Sequence, residues 1–171
     1  MDFFEVLKRR HSVRRFKEKE IEKDKVKKLL EVANSAPSAG NLQAYRIFLV
    51  RDKAKKKRLA RAAVNQEFVS QAPIDLVFCM DPFRSGRTYG TRGETLYSIQ
   101  DATISCTQVH LAGVDLGLGS VIVGAFDEAE VSKILRIPAD LRPIIILPIG
   151  YPDETPEKTP RRSLDDLVCE V

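Results

Sequence analysis

The stretch Glu94–Gly124, ETLYSIQDATISCTQVHLAGVDLGLGSVIVG, decides how the chain folds. From Glu94 to Leu116 there is no Pro and only one Gly, and Leu96, Ile99, Cys106, Val109 and Gly113 recur at helical spacing. A helix over those residues is about 34 Å long, enough to cross a domain. It is apolar or small on more than one face, which predicts burial against the rest of the chain and against a second copy. Gly117-Leu118-Gly119 ends it, and Ser120–Gly124 then reads as a strand.

Elements of both kinds flank this helix. Phe3, Phe4, Val6 and Leu7 predict a short amphipathic helix over Asp2–Arg10. Val26, Leu29, Leu30 and Ala33 predict a second over Glu22–Asn34, which must stop near Ala36-Pro37 because a residue before proline is pushed out of helical geometry. YRIFLV (Tyr45–Val50) and IDLVFCM (Ile74–Met80) read as strands, with a charged helix, Ala54–Gln66, between them. Asp81–Gly93, with three Gly and a Pro, reads as a mobile loop. Asp127 caps a short helix running to Leu135, PIIILPI (Pro143–Ile149) predicts a strand buried on both faces, and the tail Leu164–Val171 is apolar enough to pack at a distance. The alternation predicts one domain over residues 1–171, a mixed sheet of four or five strands flanked by helices.

At 171 residues, 43% hydrophobic, the chain is long enough to fold without disulfides or metal. Cys79, Cys106 and Cys169 show no CxxC spacing and read as reduced thiols of a cytoplasmic protein, and His11 and His110 are too few for a His-rich metal site. Neither a signal peptide nor a membrane span is expected. The net charge of +4 conceals two basic islands, Lys8–Arg15 at +5 and Arg51–Arg61 at +6, so the remainder stands at −7. The second island lacks interleaved aromatics and reads as a solvated helix face with no nucleic-acid partner. Cys106 and His110, one turn apart, read as a buried thiol and a helix-packing histidine.

The chain has no GxxxxGK[ST] loop, no GxSxG elbow and no HExxH. Gly117-Leu118-Gly119 with Gly124 follows a helix and precedes a strand, the reverse of a Rossmann phosphate loop. Four segments remain. Arg9-Arg10-His11-Ser12-Val13-Arg14-Arg15-Phe16 gathers guanidiniums, an imidazole and a hydroxyl that can surround a phosphate, and it also fits a solvated helix end. Ala36–Tyr45 (APSAGNLQAY) has the small and amide residues of a close-approach loop. Gly117–Phe126 and Lys158–Leu167 complete the set.

In this order the segments, R-x-S-x-R-x-F, A-P-S-x-x-N-x-Q, G-L-G-x-x-x-x-G-x-F and a terminal K-x-x-R, resemble the nitroreductase-like family of FMN-dependent oxidoreductases. The resemblance covers nearly the whole chain. It implies an α+β fold, a homodimer with a C-terminal tail exchanged between subunits, FMN as cofactor, and NADH or NADPH as hydride donor to a small-molecule acceptor such as a nitroaromatic or quinone. By the same resemblance Arg10, Ser12 and Arg161 hold the FMN phosphate, and His11 and Arg14 lie by the ribityl chain and pyrimidine edge. Pro37, Ser38, Ala39 and Asn41 reach the flavin from the other subunit, and Asn65 and Gln66 set amides at the ring edge. Val121, Val123 and Gly124 present backbone N–H groups to N5 and O4. The cofactor carries the chemistry, which accounts for the lack of a catalytic triad. The chain departs from the family at Ala39, at Ala44-Tyr45 where Pro-Trp is usual, and at Thr159 beside Lys158, and it lacks the helical insertion of longer members. Reductive dehalogenation, ene reduction, flavin fragmentation and a non-catalytic flavin sensor reuse the same kind of site.

Overall fold

The computed structural model describes residues 1–171. Helix α1 (Phe3–Arg9) leads through an extended segment to α2 (Lys23–Asn34), followed by strand β1 (Tyr45–Val50), helices α3 (Lys53–Ala62) and α4 (Phe68–Gln71), and strand β2 (Ile74–Met80). Helix α5 (Pro82–Arg92) passes through a π-helical turn, Gly93–Tyr97, into α6 (Ser98–Asp115). The two-residue strand β3 (Gly119–Ser120), α7 (Glu128–Leu135), β4 (Arg142–Gly150) and α8 (Leu164–Leu167) complete the chain.

The four strands form one sheet in the order β1-β2-β4-β3, every ladder antiparallel. The mixed character expected of the sheet is reduced to a single parallel bridge, Ser12 to Ser120, at its outer edge. All seven residues of β2 are buried, because helices cover both faces. Ile74, Leu76 and Phe78 of β2 join Leu29 and Ala33 of α2 and Cys106 and Val109 of α6 in one core. Val77 and Cys79 point the other way, into a second core with Leu59 of α3, Val69 of α4 and Val131 of α7. The strand's period of two thus divides the interior, and α6 lies wholly on one side.

Several expectations are corrected. Asp81–Gly93 is helix, not loop: the Asp81 carboxylate accepts the Arg84 N–H at 2.9 Å as an N-cap and Pro82 occupies the first turn, so a start signal outweighs three glycines. The helix over Ala54–Gln66 ends at Ala62, since Val64 and Asn65 adopt φ of +57° and +56°. The strand over Ser120–Gly124 stops at Ser120, after which only Val123 bridges to Ile146. The second basic island does not wholly face water, because Lys56 is 4% exposed and its ammonium donates to the carbonyls of Ala72 and Pro73. No helix is long and apolar enough to cross a membrane.

Candidate functional site

The first basic island leaves α1 at Arg10 in an extended conformation and runs along the sheet edge. Val13 N–H donates to Ser120 O at 3.0 Å and Lys17 N–H to Tyr151 O at 2.8 Å, while Arg15 O accepts from Asp153 N–H at 2.9 Å. A Cβ on Gly119 would lie 2.7 Å from Val13 Cγ2, so this close approach requires glycine. Glu154 clamps the turn from the far end of the chain, accepting from the N–H groups of Arg14 at 2.5 Å and Arg15 at 3.1 Å. Segments remote in sequence therefore meet in one cavity of about 430 Å³, lined by Lys8, Arg10, His11, Ser12 and Arg14 on one side and Pro156, Glu157, Lys158, Thr159 and Arg161 on the other.

Five of those residues are cationic and one is acidic. Arg10, Arg14 and Arg161 make no ion pair; Arg161 donates only to the Thr159 carbonyl at 3.0 Å, the Thr159 hydroxyl at 3.2 Å and the Pro160 carbonyl at 3.3 Å. The His11 Nδ1 donates to the Arg9 carbonyl at 2.8 Å, which fixes the orientation of the ring. Beneath the cavity, buried His110 on α6 meets the Ser120 hydroxyl at 2.6 Å. Burial first, and the Arg10 charge second, push its pKa down to about 4.

At the opposite edge of the sheet, the loop Pro37–Asn41 is built around a buried carboxylate. Asp101, near the start of α6, accepts from Ala39 N–H at 2.9 Å and from Ala44 N–H at 3.3 Å. The Ser38 hydroxyl accepts from Gln43 N–H at 2.9 Å, and Gly40, Asn41 and Gln43 take positive φ. Sequence reasoning missed Asp101, which nothing local marks, since α6 also carries Asp115, two glutamines and His110; only its burial obliges it to find donors. The cradle at β3 and the loop at β1 lie three strand spacings apart, about 14 Å.

The third group follows β3 along the same edge of β4, where Val123 bridges to Ile146. Gln66 ties its turn to the segment after Gly124, its amide donating to Ala63 O at 2.8 Å and Ala125 O at 3.3 Å, and Asn65 is held left-handed beside it. Val121 and Val123 are buried. The Val123 N–H is already used, donating to Ile146 O at 2.9 Å, so it is not available to a ligand. Gly124 N–H makes no bond within the chain, and Gly124 is exposed.

A family model described as the nitroreductase family matches residues 7–66 and 60–151. The chain belongs to the nitroreductase family. Among its relatives, a Bacillus subtilis protein named FMN reductase (NAD(P)H) is 30% identical over 164 residues, covering 88% of this chain and 66% of that one. An NADPH-dependent oxidoreductase of Staphylococcus aureus is 31% identical, covering 96% of this chain and 71% of that one. Among solved structures, the NADPH:FMN oxidoreductase from Vibrio harveyi complexed with NAD+ superposes with a TM-score of 0.90 at 28% identity, covering 98% of this chain and 76% of that one. A nitroreductase family protein from Streptococcus pneumoniae gives 0.88 at 27% identity and is covered over its full length, 100%, by 99% of this chain. Within this nitroreductase, the Ala44-Tyr45 departure has a structural reason. Ala44 supplies an N–H to Asp101 that proline lacks, and the Tyr45 hydroxyl turns inward to donate to Ala33 O at 2.7 Å.

Proposed function

We propose that this nitroreductase is an FMN-dependent NAD(P)H oxidoreductase that reduces nitroaromatic, quinone or related small acceptors by a ping-pong cycle, as a homodimer of one flavin-binding domain over residues 1–171. The carrying observation is the cavity in which Arg10, Ser12, Arg14 and Arg161 converge, none of the three guanidiniums being held in an ion pair. A dianionic phosphate fits that set: Arg10 and Arg161 offer charge-assisted, forked donors, and Ser12 adds a hydroxyl. His11 and Arg14 stand beside it, Arg14 bringing positive charge toward the flavin's pyrimidine edge. Gly124 offers the unbonded amide suited to the ring's polar edge, Asn65 and Gln66 flank that segment, and buried Val121 and Val123 support it from below. When bound, FMN would supply hydride transfer at N5.

The loop bearing Pro37, Ser38, Ala39 and Asn41 lies at the far edge from the phosphate cradle, and in a homodimer it reaches the flavin of the partner subunit. Apolar surface supports the same reading. Phe3 and Phe4 on α1 are 59% and 75% exposed, and Leu164, Leu167 and Val168 in the tail 73%, 57% and 61%. That tail packs on nothing within the chain, as an exchanged segment would. Three free cysteines, Cys79 and Cys106 buried and Cys169 exposed, accord with a reducing cytoplasmic setting.

The test is an absorbance spectrum of the purified protein before and after anaerobic NADH or NADPH, followed by a panel of nitroaromatic and quinone acceptors. A yellow protein bleached by nicotinamide and recoloured by an acceptor is the expected result. A colourless protein that refuses added FMN overturns the reading.

A further inference from the structure

Ser12 stands in the cradle by virtue of its backbone, and that backbone rests on very little. Its neighbour in the sheet, β3, is two residues long and pairs only Gly119 with Gly150 and Ser120 with Ile149. On its outer side β3 carries the island through the Ser12–Ser120 bridge and the Val13 N–H to Ser120 O bond at 3.0 Å. The Ser120 side chain points inward, is buried, and meets His110 Nδ1 at 2.6 Å. A neutral imidazole has one donor and one acceptor and a hydroxyl can be either, so this bond forms in both tautomers. The chain of contacts therefore runs from α6, through an imidazole and a serine, to the residue that faces the phosphate.

We propose that His110 is a positioning residue for phosphate binding, acting through Ser120 to set Ser12 and Arg10 at the mouth of the cradle. The proposal rests on the flavin reading above and extends it to a side chain that touches no ligand. An apolar residue at 110 would fill the space between α6 and β3 equally well. It would leave the Ser120 hydroxyl buried without a partner and release the short strand from its only side-chain tether. Arg10 lies close enough for its charge to act on the His110 ring, so the tether and the first phosphate cation occupy the same end of the cradle.

Flavin-stripped protein titrated with FMN and, separately, with riboflavin isolates the phosphate contribution. His110→Leu is expected to raise the Kd for FMN about tenfold, the scale of one net hydrogen bond, and to leave the riboflavin Kd within about twofold. His110→Asn, which keeps a polar atom toward Ser120, is expected to restore most of the FMN affinity. Ser120→Ala should match His110→Leu, and the double variant should be no worse than either alone. Thermal unfolding verifies that each variant is folded; should His110→Leu fail to fold, the Ser120→Ala and His110→Asn pair carries the test. Equal losses for FMN and riboflavin, or an unchanged FMN Kd in both His110→Leu and Ser120→Ala, overturn the positioning role while leaving the flavin reading standing. A wild-type protein that binds FMN no more tightly than riboflavin removes the phosphate cradle itself, and the positioning role with it.

Discussion

The two basic islands look alike in sequence and behave differently in the fold. Lys8–Arg15 carries +5 and Arg51–Arg61 carries +6. The first leaves its helix at Arg10 and becomes extended, so its side chains are set by sheet register and meet Arg161 across one cavity. The second stays helical as α3, which distributes its cations around the helix axis. One of them, Lys56, is driven into the interior to satisfy two carbonyls, and the others face solvent. Charge density alone therefore says little. Convergence makes a site, and a helix at about 100° per residue disperses what an edge segment can gather.

The largest expected effect tests that convergence. Arg10→Ala and Arg161→Ala should each weaken FMN binding about 30-fold, and together about a thousandfold, since each removes a charge-assisted bond. Fluorescence titration decides; full affinity in the double variant would place the phosphate elsewhere. Second in size is Lys56→Met, expected to cost about 2 kcal/mol in chemical denaturation because it leaves two buried carbonyls without their donor. Asp75 is fully buried and neither carboxyl oxygen has a partner, so adding Asp75→Leu to Lys56→Met should offset most of that loss by replacing an unsatisfied polar group with an apolar one. If the double variant is no better than the single, the buried Asp75 carboxyl carries no such cost.

Each island also covers a buried titratable group, and the two should respond to pH with opposite sign. His110 has its pKa pushed from 6.5 to about 4, so the unfolded chain binds the extra proton and stability falls as pH drops through that range. Between pH 7 and 5.5 the loss should be about 1 kcal/mol, and His110→Asn should flatten it. Burial raises Asp75 well above the ordinary carboxylate value of 3.8, so there the native state holds the proton and stability falls as pH rises above that value. Asp75→Asn should remove this second dependence and leave the first intact. Smallest of all, Lys53→Ala, Lys55→Ala and Lys57→Ala should each change stability by less than about 0.5 kcal/mol, and FMN affinity not at all. A loss of flavin from any of them would make the second island part of the site.

Much of the fold was legible because it is encoded locally. The apolar spacing of Val26, Leu29 and Ala33 marks α2, and the runs YRIFLV and IDLVFCM coincide with β1 and β2. Where reading failed, two local signals competed. At Asp81–Gly93 the Asp-Pro helix start prevailed over the glycines, with Gly90 taking φ of +56° at the break. After Ser120 the β-branched run had no strand to pair with beyond one bridge to Ile146. The site was legible only in part. Arg10, Ser12 and Arg161 could be picked out by type and order, whereas Asp101 and Lys56 carry no local mark of burial.

The sequence by itself determined the family, the element types along most of the chain and the residue types that suit a flavin phosphate, because propensity, periodicity and motif order are properties of short segments. The tertiary structure decided which cations converge and which acids and amides are already committed. It buried Lys56, spent the Val123 N–H on Ile146 and left Gly124 free, and placed His110 behind the cradle. Those outcomes depend on contacts between residues far apart in the chain, such as Arg14 with Glu154 and Ala39 with Asp101. No window of sequence contains both partners.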